Sequence, residues 1–461
     1  MLTYQLKKAP GVPLYESLYR CIRGDILSGK LRPGEKLPSK RALAQHLEVS
    51  KITVEAAYNQ LLAEGYLSSR EKVGYFVEAV EQPPEQPLPS PASPQKQESP
   101  WLLDLTGGAE RFPFSVWMRL QREVMLDYGE KLLRPMPNRG VAELRRAIAE
   151  HLAAFRGMQV DPENILIGAG TDFLYNLLIQ LLGREEPYAL EEPGYDKIRL
   201  IYAAGGVEIL GAPMDSLGVM PGCLGDARVL HISPSHHFPT GLVTPVSRRL
   251  ELLAWAREGE KWIIEDDYDS EFRFAAHPMP AMQSLDSRRV IYMNSFSKTL
   301  APSIRISYMV LPGELMARFQ EKLGFYSCTV PSFEQYTLAR FLSRGYFEKH
   351  INRMRKFYNS RRKFLIGLLQ NRSFSHKLTI LEEDAGLHFL VKVDTPLSDA
   401  ALTELLAKAG IRVRALSSYY HDGGGDRHIL VVNYSALKEE AAQQALDALE
   451  ILLQGSLPAG R

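Results

Sequence analysis

Seven prolines fall between residues 83 and 100, at positions 83, 84, 87, 89, 91, 94 and 100, among Gln, Glu and Ser. Each proline fixes its own φ and removes a backbone donor, so no helix interior or central strand can run through this stretch. With almost nothing apolar to bury, it reads as an extended spacer of about 3.1 Å per residue. The chain is therefore expected to divide into a head, residues 1–80, a proline-rich linker, 81–100, and a body, 101–461. At 461 residues it is too long for one hydrophobic core in any case.

The head carries three helical patterns and a hairpin. Pro13 opens a run in which Leu14, Leu18, Cys21 and Ile22 recur on one face. Gly29 and the turn at residues 31–34 stop it. Ser39 is placed to cap a short helix reaching residue 47, and Ser50 to cap a third helix that ends at Gly65. Residues 66–69 and 73–77 read as strands around a turn at 71–72, which completes a winged helix-turn-helix (α+β). Residues 1–80 hold 12 Lys/Arg against 8 Asp/Glu, a local +4 in a chain of net charge +1. That bias permits phosphate contact, while the overall balance argues against a protein that coats nucleic acid along its whole surface.

The run Gly29-Lys30-Leu31-Arg32-Pro33-Gly34-Glu35-Lys36-Leu37-Pro38-Ser39-Lys40-Arg41-Ala42-Leu43-Ala44 resembles the GntR family of bacterial regulators, and the likeness covers residues 13–77. It implies double-stranded DNA as a partner. Ser39 and Arg41 would lie at the DNA, with Ser50, Lys51, Ile52 and Thr53 in the first turn of the recognition helix and Arg70, Lys72 and Gly74 on the wing. Some members of the family carry a second Arg where this chain has Glu55.

The body alternates helical patterns with short apolar runs at 164–168, 228–233, 261–266 and 290–293, each ending in polar or glycine residues. Such runs are expected to be buried parallel strands whose C-terminal ends carry a site, in an α/β architecture. A large subdomain of about 101–330 would be followed by a small C-terminal α+β subdomain of about 331–461. At those strand ends lie the parts that pyridoxal 5'-phosphate requires. Lys298 follows Ser295 and Ser297 and is the expected Schiff-base lysine. Asp266 is the expected partner of the pyridine nitrogen, and Tyr268, two residues on, faces the same way in extended chain. Gly170 and Thr171 open a helical pattern whose free N–H groups suit a phosphate. Arg305 is a phosphate or site arginine, and Tyr195 is placed to stack on the ring.

The order and spacing of these residues resemble the fold-type I aminotransferases over residues 101–455. Head and body together resemble the MocR/GabR group, in which an aminotransferase-like domain senses pyridoxal phosphate or an amine-bearing ligand. The resemblance implies a head-to-tail homodimer reading an operator with repeated half-sites, and a small amine or amino-acid effector.

Two departures matter. Phe238 stands where aminotransferases usually place an Asn, leaving His236 or His237 to take its role. Val431 or Val432 stands where they place the arginine for a substrate carboxylate, with Arg414 and Arg427 nearby. Three readings follow: a pyridoxal-phosphate-dependent regulator, a working aminotransferase with a DNA-binding appendage, and a DNA-binding protein on a ligand-free scaffold. The His236-His237 pair has no third ligand at metal spacing. No run approaches the roughly 18 apolar residues of a membrane span. The N-terminus lacks a signal core, and Cys21, Cys223 and Cys328 are isolated, so a cytoplasmic, membrane-free protein is expected.

Overall fold

A computed structural model describes residues 2–4, 6, 13–71, 73–80, 101–106, 111–272, 280–381, 386–421 and 423–455. Lys72 and the whole 81–100 stretch lie outside the described residues. The chain divides into two compact units, split between residues 96 and 97.

In the first unit, helix Leu14–Leu27 buries Leu18, Ile22 and Ile26, one residue per turn. Helix Lys40–His46 starts where the Ser39 hydroxyl accepts from the Ala42 N–H at 3.2 Å. Helix Lys51–Ala63 starts in the same manner, Ser50 Oγ accepting from the Thr53 N–H at 3.1 Å. Its Val54, Ala57, Tyr58 and Leu61 complete a core with Leu18 and Ile22. Each large apolar side chain so buried contributes about 1.5–3 kcal/mol. Strands Leu67–Arg70 and Gly74–Val77 pair antiparallel, and a bridge from Lys36 to Phe76 lays the inter-helix segment along the hairpin. Both strands begin one residue later than their sequence patterns suggest.

The second unit is built on an eight-stranded sheet. Its spatial order is Ile165–Gly168, Ser307–Val310, Val290–Ser295, Trp262–Asp266, Val229–Ile232, Tyr188–Glu192, Ile209–Asp215 and Gly218–Val219. The four apolar runs read from the sequence are all present and point the same way. The sheet is mixed, however: Ser307–Val310 runs antiparallel between Ile165–Gly168 and Val290–Ser295. Successive side chains alternate between the sheet faces. Leu166, Ile291, Met293 and Met309 pack under helices Thr171–Leu182 and Gly313–Leu323. Ile165, Ile167, Tyr292 and Tyr308 meet the opposite core, with helices Ala142–Arg156 and Ser332–Ser343. Burial on both faces explains why these strands read as continuous apolar runs.

Toward the C-terminus, strands Leu378–Leu381, His388–Val393, Ile429–Asn433 and Arg414–Ala415 form an antiparallel sheet, with helices Tyr346–Gln370, Asp399–Lys408 and Glu439–Gly455 beside it. The long helix Tyr346–Gln370 leads into this smaller subdomain. The preceding helix, Ser332–Ser343, packs against Phe114–Tyr128 and Ala142–Arg156 of the large part. The second unit also opens on the small side, because Leu103–Asp104 pairs in parallel with Ile411–Arg412. No helix among the described residues is long and apolar enough to cross a membrane.

Candidate functional site

The C-terminal ends of the central strands surround a cavity of about 460 Å³, within the size range of small-ligand pockets. Asp266, Tyr268, Ser295, Ser297, Lys298, Thr171, Arg305 and Tyr195 all line it, and Gly170 lies beside Arg305 at its edge.

Lys298 is exposed to the cavity, and its amine has no hydrogen-bond or ion-pair partner among the described residues. It sits on the short connection between the adjacent strands Val290–Ser295 and Ser307–Val310, which the bond from Phe296 N–H to Ile306 C=O (2.9 Å) closes. Asp266, at the end of its strand, is buried. Its Oδ2 accepts from the Tyr175 hydroxyl at 2.5 Å and lies 3.4 Å from His231 Nε2. Its Oδ1 is buried with no partner, an acceptor held for a donor that the protein itself does not provide. Tyr268 shares the cavity face with Asp266, and its hydroxyl lies 3.2 Å from His236 Nδ1. Burial pushes the Tyr268 phenol well above its ordinary range, so it is a proton donor. The intervening Asp267 turns to the other face, where it meets Arg156 at 3.0 Å and the Tyr292 hydroxyl at 2.6 Å.

One wall has the chemistry of a phosphate cup. Helix Thr171–Leu182 begins after Gly170 with no side-chain cap, so its first N–H groups face the cavity edge. Gly170 has φ +86°, and a Cβ there would sit 2.2 Å from Arg305 Nη2; only glycine lets the guanidinium approach. Arg305 itself bonds Asp172 at 3.1 Å. The Ser297 hydroxyl donates weakly to Ile304 C=O at 3.3 Å, while Ser295 Oγ accepts from Ser297 N–H and from the Ser307 hydroxyl. Ser295 therefore braces the loop, and Ser297 is the freer of the two.

The opposite wall is aromatic. Phe238 meets Tyr195, His388 and Tyr419 edge-on, with ring centroids 5.8, 5.2 and 5.2 Å away. Tyr195 meets this wall through Phe238 and is itself 48% exposed. His236 bonds Asp269 at 2.9 Å, and His237 bonds Thr240 Oγ1 at 2.7 Å. Of the two, His236 is the one that reaches Tyr268. Beneath lies Glu191, which accepts from Ser233 N–H at 2.9 Å; burial pushes its carboxyl up to about 8. Burial also lowers His237 to about 3, so the 3.5 Å approach of these two groups joins neutral partners. Arg414 pairs with Asp196 at 3.0 Å and stacks over Tyr419, and Arg427 stacks over Tyr420. Among the described residues no three His, Cys, Asp or Glu side chains are grouped to hold a metal ion.

The donor set fits pyridoxal phosphate: an unpartnered lysine, an unpartnered buried carboxylate oxygen, a phenol donor and an uncapped helix start. Sequence reading missed Tyr175 and His231. Their signals were a spacing of four residues after Thr171 and a lone ionisable side chain in an apolar strand.

In the first unit Arg41, Lys51 and Ile52 are exposed at the starts of their helices, Ile52 at 77%. The hydroxyls of Ser39 and Ser50 accept cap hydrogen bonds, and Thr53 Oγ1 lies 2.8 Å from Ser50 Oγ. Glu55 is paired with Lys40 at 2.7 Å. On the wing Arg70 stacks over Phe76 at 4.6 Å. Gly74 leaves room for Lys36, whose Cε would stand 3.0 Å from a Cβ there. Lys36, exposed and laid against the wing, was not singled out from the sequence; its place in the turn before Leu37 carries no signal of its own.

Two families match this chain. The one described as bacterial regulatory proteins, gntR family, matches residues 14–77, and aminotransferase class I and II matches residues 104–449. The uncharacterized HTH-type transcriptional regulator YdeL of Bacillus subtilis is 38% identical over 430 residues, 91% of this chain and 93% of its own length. The probable rhizopine catabolism regulatory protein MocR of Rhizobium meliloti is 32% identical over 487 residues, 99% of this chain and 98% of its own. Among solved structures, a multiple substrate aminotransferase from Thermococcus profundus superposes with a TM-score of 0.68 at 22% identity. That match covers 78% of this chain and 92% of the other, a likeness of fold.

Proposed function

Since the chain belongs to the MocR-type branch of the GntR family of bacterial regulators, an aminotransferase class I and II domain behind a winged helix, we propose that its head binds an operator while its body senses. The sensed molecule is pyridoxal phosphate, or an amine or amino acid that reacts with it. One observation carries the sensing part: an uncommitted amine, Lys298, and an unpartnered buried oxygen, Asp266 Oδ1, share one cavity.

When bound, pyridoxal phosphate supplies an electrophilic aldehyde carbon that captures primary amines. Lys298 is the attachment point. Asp266, steadied by Tyr175 and His231, would hold a proton at the ring nitrogen. Tyr268 would donate to the phenolic oxygen, in place of the asparagine donor that Phe238 cannot replace. The N–H groups from Thr171 onward, Ser297 and Arg305 would bind the phosphate. Tyr195, half-exposed beside Phe238, would stack on the ring. In the head, Arg41 and Lys51 would bind phosphate or base edges, with Thr53, Arg70, Lys72 and the close approach at Gly74 completing the contact. Ser39 and Ser50 serve by fixing the helix starts, and exposed Ile52 suits a thymine methyl.

Turnover as an aminotransferase is less well supported. Val431 or Val432 stands where a substrate-carboxylate arginine is usual, Arg305 is assigned to the phosphate, and the nearby guanidiniums Arg199 and Arg414 are engaged with Glu192 and Asp196. The decisive experiment is footprinting on the DNA upstream of the chain's own gene, with and without pyridoxal phosphate and candidate amines. A ligand-dependent footprint is expected. Identical footprints in every condition, with rapid keto-acid-dependent turnover, would favour the enzyme reading.

A further inference from the structure

Helix Tyr346–Gln370 carries seven Lys/Arg against one Glu, in a chain whose net charge is +1. Its buried side holds Phe347, Ile351, Met354, Tyr358 and Leu365. The exposed side is a stripe of Lys349, Asn352, Arg353, Lys356, Ser360 and Lys363. These positions recur at three- and four-residue intervals, so they share one face.

A helix face that only meets water normally mixes charge signs and gains from pairs three or four residues apart. Here Lys349, Arg353 and Lys356 repel one another at those spacings, and the one acid on this side is Glu348, four residues before Asn352 at the stripe's N-terminal edge. None of the four cations has an ion-pair partner among the described residues. The helix's one acid, Glu348, approaches His151 at 3.7 Å. Lys349 also stands in the first turn, where the helix dipole disfavours a cation. An arrangement that opposes folding on two counts, like-charge repulsion and the helix dipole, is explained by an anionic partner.

We propose that this stripe is a second DNA-binding surface, which grips the phosphate backbone of duplex DNA flanking the bases read by the winged helix. From Lys349 to Lys363 it spans about 21 Å, the axial length of about six base pairs. Asn352 and Ser360 add neutral donors of the kind that contact phosphate. The inference rests on the head being the sequence reader, and the test separates the two.

In the full chain, Lys349→Gln, Arg353→Gln, Lys356→Gln and Lys363→Gln are combined. Binding is measured by anisotropy across a salt series on two duplexes from the upstream DNA, one trimmed to the winged-helix footprint and one with both flanks. The expected result is normal affinity on the trimmed duplex and at least about tenfold loss on the flanked one, the log–log salt slope flattening by about one unit per lost phosphate contact. Lys349→Arg, Lys356→Arg and Lys363→Arg together should retain flanked binding. Unchanged affinity and slope on the flanked duplex overturn the proposal. So does normal DNA binding with lost transcriptional output, which would assign the stripe to an acidic protein. Lys51→Ala should weaken both duplexes alike; if it leaves both unchanged, the reading of the head fails while the stripe result stands by itself.

Discussion

At the scale of single residues, the body is organised around what is left unpaired. Lys298→Ala removes the only uncommitted amine that lines the cavity among the described residues and should abolish covalent cofactor attachment; borohydride reduction and peptide mapping that label another lysine would refute the assignment. Asp266→Asn keeps the shape but loses the charge, so cofactor affinity should fall by about 1–3 kcal/mol by titration. Asp267 cannot substitute, since Arg156 and Tyr292 hold it on the other face. Glu191 gives a pH prediction. Its folded carboxyl titrates at about 8 against an ordinary 4.5, so the folded chain keeps a proton that the unfolded chain has released. The associated stability is complete below the unfolded value and is lost as pH rises through that window. Glu191→Gln has no such proton to lose and can still accept from Ser233 N–H. Its melting temperature relative to the parent should therefore rise between pH 5 and 8; a constant difference would show that Glu191 is ionised in the fold.

At the scale of elements, caps and strand ends do most of the positioning. Helix Lys51–Ala63 is aimed by Ser50, which leaves Lys51 on its exposed first turn. Lys51→Ala should weaken DNA binding and flatten the salt slope by about one unit if the ammonium touches one phosphate; a gel-shift titration with unchanged slope would exclude that contact. These elements were legible because they are local: proline and serine mark helix starts, and apolar runs mark doubly buried strands. Strand Tyr188–Glu192 was not legible, because it ends in two glutamates. Burying Glu191 depends on the Ser233 N–H from a neighbouring strand end, which no local pattern encodes. Ser307–Val310 was hidden for another reason. Nothing in four residues tells a parallel strand from an antiparallel one, yet its direction places Lys298 and Arg305 on one short connection. Asp266 and Tyr268 were legible as a pair through strand alternation alone.

At the scale of the whole molecule, the expectation is a homodimer whose two heads read repeated half-sites. Light scattering of cofactor-loaded protein at micromolar concentration should give twice the chain mass, and a monomer would count against a site shared between subunits. Ligand can change operator affinity only by as much as it prefers one arrangement over another, on the order of 1–3 kcal/mol. The pairing of Leu103–Asp104 with Ile411–Arg412 then acquires a mechanical meaning. Leu103 and Asp104, the first strand of the body, do not join the sheet that carries the cavity. They pair instead with the subdomain bearing His388 and Tyr419, two of the cavity's wall residues. Whatever shifts that subdomain carries Leu103 and Asp104 with it, so the strand that opens the second unit moves with part of the chamber wall.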